Sequence, residues 1–351
     1  MIKRLSLILA IGLFLFSYNS QAQYVTTKVK SKHQQYTDSL KQVKYDYIFP
    51  LLGQGAYSKG FDIPYPIGAM ANFMWIDQGI TIDNLQLGLK TNDTDIPLTG
   101  VDIIGFGENR NTSYTVNFRP DVWVFPFLNV YGIFGTGNSR TEVNINRLGN
   151  QEFNLQSVVD QSVSTVGVGV MGAGGVGPVW ISVDANWTWN KPELLDEAVR
   201  VNVMGLRIGH TFVFKNKPES NIALWAGAMR VKMNSETRGE ILLSDAIPDL
   251  ADKSDQIVSD YNTWYDTNYD ELTIVQKKVV DDVIDPLIDR IEAVDGSAII
   301  RYGLDKQVKE MWNGIFGVQY QYNKHWMLRS EAGLIGDRKS FLLSLNYRFL
   351  L

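Results

Sequence analysis

The sequence has no cysteine and only three histidines in 351 residues. Without cysteine there is no disulfide, no thiolate metal site, no cysteine nucleophile and no lipid-bearing cysteine anchor. His33, His210 and His325 stand far apart, and none has a second histidine at ligand spacing, so neither a metal centre nor a catalytic imidazole is expected. Long apolar runs are also missing. The uncharged apolar run Leu5 to Phe16 is twelve residues, or about 18 Å of helix, against a hydrocarbon core of about 30 Å. There is no basic excess either: 33 Lys and Arg face 38 Asp and Glu. That balance excludes the basic face of a nucleic-acid binder. No Gly-x-Ser-x-Gly elbow or phosphate loop is found, and no nucleophile–base set, so the chain does not read as an enzyme and no cofactor is expected.

What is present begins with an address. Lys3 and Arg4 precede the uncharged run, which ends in Ser20-Gln21-Ala22. A charged start, a short apolar stretch and a small-residue junction are the parts of an export signal. Residues 1–22 are expected to be the signal peptide, cleaved after Ala22. Residues 23–65 then read as a mixed N-terminal segment, periplasmic or lumenal, leading into the first strand.

From there the dominant signal is alternation with period two. Val179, Ile181, Val183, Ala185, Trp187 and Trp189 share one face, and Ser182, Asp184, Asn186 and Thr188 the other. Phe341, Leu343, Leu345, Tyr347 and Phe349 alternate in the same way with Leu342, Ser344, Asn346 and Arg348. Near Val199 to Phe214 the phase slips, as a bulge would cause. Counting such segments predicts about twelve strands: 68–77, 79–90, 100–107, 112–124, 127–142, 163–173, 178–190, 198–214, 221–233, 312–322, 325–335 and 340–349. Short links such as Asn323-Lys324 predict an antiparallel up-and-down order. The glycines of Gly167-Val-Gly-Val-Met-Gly172 make no nucleotide fingerprint, because no helix follows; they mark small lumen-facing positions or bends.

An exported chain with this many strands, and with tryptophans near strand ends, favours lipid outside over a dry core inside. The closing strand Phe341 to Phe349 and hairpins such as Tyr320-Gln-Tyr-Asn-Lys-His-Trp326 resemble those of Gram-negative outer-membrane β-barrels. The leader and its Ala-Gln junction resemble those of Bacteroidetes-type bacteria. No specific functional family is identified. The resemblance implies an all-β membrane barrel in the outer membrane, contacts with outer-membrane lipid, and recognition of Phe349 by the barrel-assembly machinery. The chain ends Phe-Leu-Leu rather than on the aromatic residue itself.

In such a barrel the polar phase lines the lumen. It comprises Asn117, Arg119, Asp121, Asp184, Asn186, Arg200, Asn202, Gln319, Gln321, Arg329, Glu331 and Arg348. Trp75, Trp180, Trp189, Trp312 and Trp326 are the expected aromatic girdle. A single-sign ring that would signal ion selectivity is not seen.

Barrel strands are therefore expected over 66–233 and 311–351, and residues 234–310 break the pattern. There Leu250 to Tyr265 and Thr273 to Val294 read as helices, the second with Val280, Val283, Ile284, Leu287, Ile291 and Val294 on one stripe. Pro286 either starts a new helix capped by Asp285 or kinks a single one. Asp281, Asp285 and Asp289 line one face, which reads as hydrated rather than as a calcium site. This insertion carries eighteen acidic and eight basic residues, a net −10, so the remainder is +5. Its stripe must pack on something, and a plug or lid is favoured over a surface for a protein partner. The expectation is thus a gated or narrow channel for a small polar or amphipathic solute; the alternative is a non-conducting structural or docking protein.

Overall fold

The computed structural model describes residues 32–349 apart from 92, 150, 177, 234 and 235. The signal peptide and its junction lie outside the described residues. Fourteen strands are formed: β1 (Ile67–Lys90), β2 (Asp95–Gly100), β3 (Ile104–Phe106), β4 (Asn109–Phe125), β5 (Leu128–Leu148), β6 (Gln151–Val176), β7 (Val179–Pro192), β8 (Val199–Phe214), β9 (Lys217–Met233), β10 (Glu236–Leu242), β11 (Ile299–Val308), β12 (Trp312–Gln321), β13 (Trp326–Ile335) and β14 (Lys339–Phe349). Ten of them close an antiparallel barrel in the order β1-β4-β5-β6-β7-β8-β9-β12-β13-β14. The ring shuts where β1 pairs with β14, from Ile67↔Phe349 to Asp77↔Lys339. Both ends of the described chain lie at one end of the barrel, so the even strand number puts the longer connections at the other.

The closed ring has ten strands, not twelve, for two reasons. The segments 68–77 and 79–90 are one strand of 24 residues. No turn separates them: Gly79 stays in the ladder, and its amide donates to Asp337 Oδ2 at 2.5 Å. The segment 100–107 is no barrel strand, because it is divided between the end of β2 and β3, and β3 pairs only with β5. The bulge expected near residues 199–214 is also absent over most of that span. β8 holds one register against β7 from Val199 to His210 and against β9 from Val201 to Val213.

The upper part of β1 has a second life. Beyond the β14 pairing it takes β11 as its neighbour, and β11 carries β10. A bulge between Asp83 and Gln86, with Asn84 at φ 53°, adds one residue to β1. The extra residue flips the parity, so Leu85, Leu87 and Leu89 face the interior above the barrel. The expected insertion 234–310 is therefore strand at both margins. Its helices occupy only the middle: α-helices at Leu243–Ala246, Leu250–Asn268, Ile274–Val279 and Asp285–Glu292.

The last two are continuous through a π-turn at Val280–Ile284. Pro286 lacks the amide that an α-helix would use, and the wider turn just before it absorbs the mismatch, so one helix is bulged rather than two being capped. Thr273 and Gln276 form a capping box that fixes where this helix starts.

Candidate functional site: the lumen and its closures

The outer wall sets the frame. Between the two barrel ends its outward positions are apolar and exposed: Val179, Ile181, Val183, Trp187 and Trp189 on β7, and Phe341, Leu343, Leu345 and Phe349 on β14. Ten residue steps from Val179 to Trp189 cover about 34 Å of strand, or about 24 Å of height at a tilt near 45°. That matches the apolar band of a lipid-embedded barrel, about 25 Å. Trp75, Trp189 and Trp312 face outward near the end bearing the insertion. Trp326 faces outward at the opposite end, edge-on to Tyr347 at 4.7 Å. Trp180 departs from the expected girdle. It turns into the lumen beside Trp225, 6.0 Å between rings, because it shares parity with Ser182 and Asp184.

Inside, ten of the expected lumen residues point inward: Asn117, Arg119, Asp121, Asp184, Asn186, Gln319, Gln321, Arg329, Glu331 and Arg348. Arg200 and Asn202 do not. The unbroken register of β8 puts them on the outer face with Met204 and Leu206, opposite Trp189 and Trp187 of β7, and Val199, Val201 and Val203 turn inward instead. A residue passed over by the sequence reading takes the central place. Arg207 donates Nε to Glu331 Oε2 at 2.7 Å and Nη2 to Oε1 at 2.9 Å, and it also pairs with Asp184. Glu331 further accepts from Trp225 Nε1 at 2.8 Å and from Arg329 Nη2 at 2.9 Å.

The network continues around the wall. Asn186 Nδ2 donates to Asp184 Oδ2 at 3.0 Å, and Tyr131 donates its hydroxyl to Asn186 Oδ1 at 2.6 Å. The Arg119 guanidinium lies 3.7 Å over the Tyr131 ring. Nearer the termini, Arg348 pairs with Asp121 at 2.8 Å, and Asn129 donates to the same oxygen at 2.7 Å. Asn72 donates to Asn117 at 2.7 Å.

Glycines make room for these side chains. Gly169 faces the lumen and the Tyr131 ring lies over it, in space that a Cβ would occupy. The Trp225 indole lies over Gly317 in the same manner. Large side chains therefore lie flat against the wall rather than projecting straight to the axis. The glycine alternation of β6 and β12 was the signal for this.

Segments outside the ring sit at both ends of the barrel. At one end the helices sit inside an upper wall made by β1, β2, β6, β10 and β11. Two adjoining apolar clusters hold them. One joins Leu89, Ile241 and Ile300 of the strands to Leu243, Leu250, Ile257 and Ile291. The other gathers Trp264, Tyr261, Val280 and Ile284 on Val101, Ile103 and Leu148. The helical stripe thus packs on the wall above the ten-stranded ring. Within the insertion Asp285 accepts the Tyr261 hydroxyl, and Asp281 accepts that of Tyr269 at 2.7 Å. Burial raises the Asp285 carboxyl above its ordinary range, and the nearby charges of Asp281 and Asp289 add to the effect.

At the other end lies the segment before β1, with short helices at Lys32–Leu40 and Gly53–Ser58. Leu51 donates its amide to Val124 O at the foot of β4, and Asp62 pairs at 2.9 Å with Lys324 in the β12–β13 turn. The Lys324 amine is ringed by Tyr36, Tyr57 and Tyr65 at 5.6–5.9 Å.

The upper wall has a side gap. β4 pairs with β1 only up to Ile80, and β2 takes over only from Gln86. A cavity of about 1020 Å³ opens there, lined by Thr81, Asp83, Asp102, Asn109, Arg147 and Lys309 among others. Of the histidines, His325 donates from Nδ1 to Arg348 O at 2.8 Å in a turn, and His210 sits beside Phe212. Among the described residues no group of three His, Asp or Glu gathers as metal ligands.

No family model matches the chain, and no curated protein matches it. Among solved structures it is similar to the β domain of the Bordetella autotransporter Brka, with 10% identity over 81% of this chain and 100% of that one, TM-score 0.37. It is similar to the outer membrane protein OprG from Pseudomonas aeruginosa, with 9% identity over 83% and 100%, TM-score 0.34. It is also similar to the translocator domain of the autotransporter NalP from Neisseria meningitidis, with 11% identity over 84% and 92%, TM-score 0.32. These are likenesses between barrels and go no further.

Proposed function

We propose that the protein is an outer-membrane β-barrel whose narrow lumen passes a small polar solute, closed at rest by the helical lid between Leu242 and Ile299. One observation carries this reading. The bore is lined by charged and polar side chains laid over glycines, while the large apolar clusters lie in the lid above it. A barrel needed only as an anchor would have no use for so many charged side chains in its bore. Catalysis has no place in the proposal, since no nucleophile–base set is visible. Phe349, outward on the strand that closes the ring, is the proposed signal for assembly, and Ala22 the proposed last residue of the leader.

The structural alternative has its own observation. At roughly 1.5–3 kcal/mol for each large buried apolar side chain, the lid is firmly held. Ile274 and Val275 are nonetheless 88% and 71% exposed on it, as a docking surface for a protein partner would be. Conductance in planar bilayers separates the two. Leu242 and Ile299 are directly paired, so residues 243–298 can be replaced by a tight turn without removing β10 or β11. Transport predicts that this deletion opens a steady conductance. Silence in both forms removes the transport reading and leaves docking.

A further inference from the structure

Within the membrane-spanning bore, four arginines (Arg119, Arg207, Arg329 and Arg348) stand against three carboxylates, Asp121, Asp184 and Glu331. Each carboxylate already holds an arginine. Arg348 holds Asp121, Arg207 holds Asp184 and both oxygens of Glu331, and Arg329 takes the remaining place on Glu331. Arg119 is left with no carboxylate among the described residues, and its buried Nε has no hydrogen-bond partner. The Nε of Arg329 is in the same condition. These two groups are neighbours on the inner wall: Arg329 is linked through Ser344 and Asn72 to Asn117, and Arg119 is the next inward residue on β4.

An uncompensated guanidinium at membrane depth is strongly disfavoured unless something neutralises it. The Tyr131 ring offers the Arg119 guanidinium a π face at 3.7 Å but no negative charge. Nearer the lid, Lys306 and Arg338 also lack a carboxylate within ion-pair distance; their contacts are Thr141, Gln78 and a carbonyl.

We infer that the lumen holds a small monovalent anion against the in-plane donors of Arg119, with Arg329 as the second donor. This deepens the proposed passage for a polar solute by giving that solute a negative charge, and it rests on that reading only for the word passage. The competing arrangement is internal. Asp121 Oδ2 has no partner, so Arg119 could turn onto it and neutralise itself.

The test is to refold the full chain from urea in sodium bromide, crystallise it, and collect anomalous diffraction at the bromine edge. The expected result is a bromide within hydrogen-bonding reach of Arg119, lost in Arg119→Gln and kept in Arg119→Lys. Heat-modifiable migration checks that each variant folds, and a higher Tm in bromide than in matched sodium gluconate should vanish in Arg119→Gln. Bromide found only at the outer surface, bromide retained in Arg119→Gln, or Arg119 seated on Asp121 with no halide overturns the site. Occupancy without conductance would instead leave the site standing and remove the passage.

Discussion

Arg207 on β8 and Glu331 on β13 are joined by two parallel hydrogen bonds of 2.7 and 2.9 Å across a chord that skips β9 and β12. Glu331 is thereby the one acceptor holding two arginines and a tryptophan together. Glu331→Gln leaves those cations facing one another, and breaking a buried pair in this one-sided way typically costs about 3–5 kcal/mol. The expected outcome is a barrel that loses its heat-modifiable compact form at clearly lower temperature or urea. A variant that melts like the parent would show that the chord carries no stability.

The seat of Tyr131 over Gly169 gives a second prediction. Gly169→Ala puts a methyl group into the ring and should destabilise the barrel by roughly 1–3 kcal/mol, the usual penalty of overpacking. Combining it with Tyr131→Ala should restore most of the loss, because the clash needs both partners. Additive losses in urea unfolding would mean that the glycine serves some other purpose.

The lid should respond to acid in the opposite sense to most folded domains. Asp285 has a native pKa raised above its ordinary value of 3.8, so its contribution to stability is complete below that value and is lost as pH rises through the raised one. Proteolysis within residues 243–298 is expected to be slower at pH 5 than at pH 8. Asp285→Asn should keep the Tyr261 contact and flatten the difference; an unchanged pH profile in that variant would assign the effect to other groups.

Lys306 gives the complementary case. Its amine is enclosed against Thr141, and burial pushes its pKa down to about 8 from 10.5. A depressed lysine contributes stability that is complete above its unfolded value and is lost as pH falls through the native one. Stability should therefore rise between about pH 8 and 10.5 relative to Lys306→Met, which should also be the more stable protein at pH 7. Parallel curves for the two proteins would place the amine in open water.

The barrel was legible because a membrane writes period two into every strand. Phe341 to Phe349 and Val179 to Trp189 declare both faces without help from any partner. Side and height are separate pieces of information, however. The position of Trp180 near a strand end fixes its height, while its parity with Asp184 fixes its side, and the parity is what the fold obeys. Arg207 was hidden by the apparent slip near it, since the apolar residues of β8 change faces on leaving the band although the backbone keeps its register.

The strand count differs at Gln78, between the expected segments 68–77 and 79–90, where the strand runs on without a turn. The seat of the lid was beyond reach for a related reason. Leu85, Leu87 and Leu89 receive it only because one extra residue near Asn84 turns them inward, and an inserted residue in a ladder has no signature until the partner strand is known. The helices themselves announced their stripe but not the surface beneath it.

The length of β1 bears on how the molecule is made. This strand is synthesised first, yet its lower half waits for β14 and its upper half for β11, so Ile67 meets Phe349 across nearly the whole chain. Contacts so distant in sequence form slowly, and an unpaired strand edge is a template for wrong partners in the meantime. Until β14 has been made, the free edge of this 24-residue strand must be kept from pairing elsewhere. The point most exposed to misfolding is therefore the start of the barrel, and a chaperone that shields β1 would do more for yield than one that shields any later hairpin.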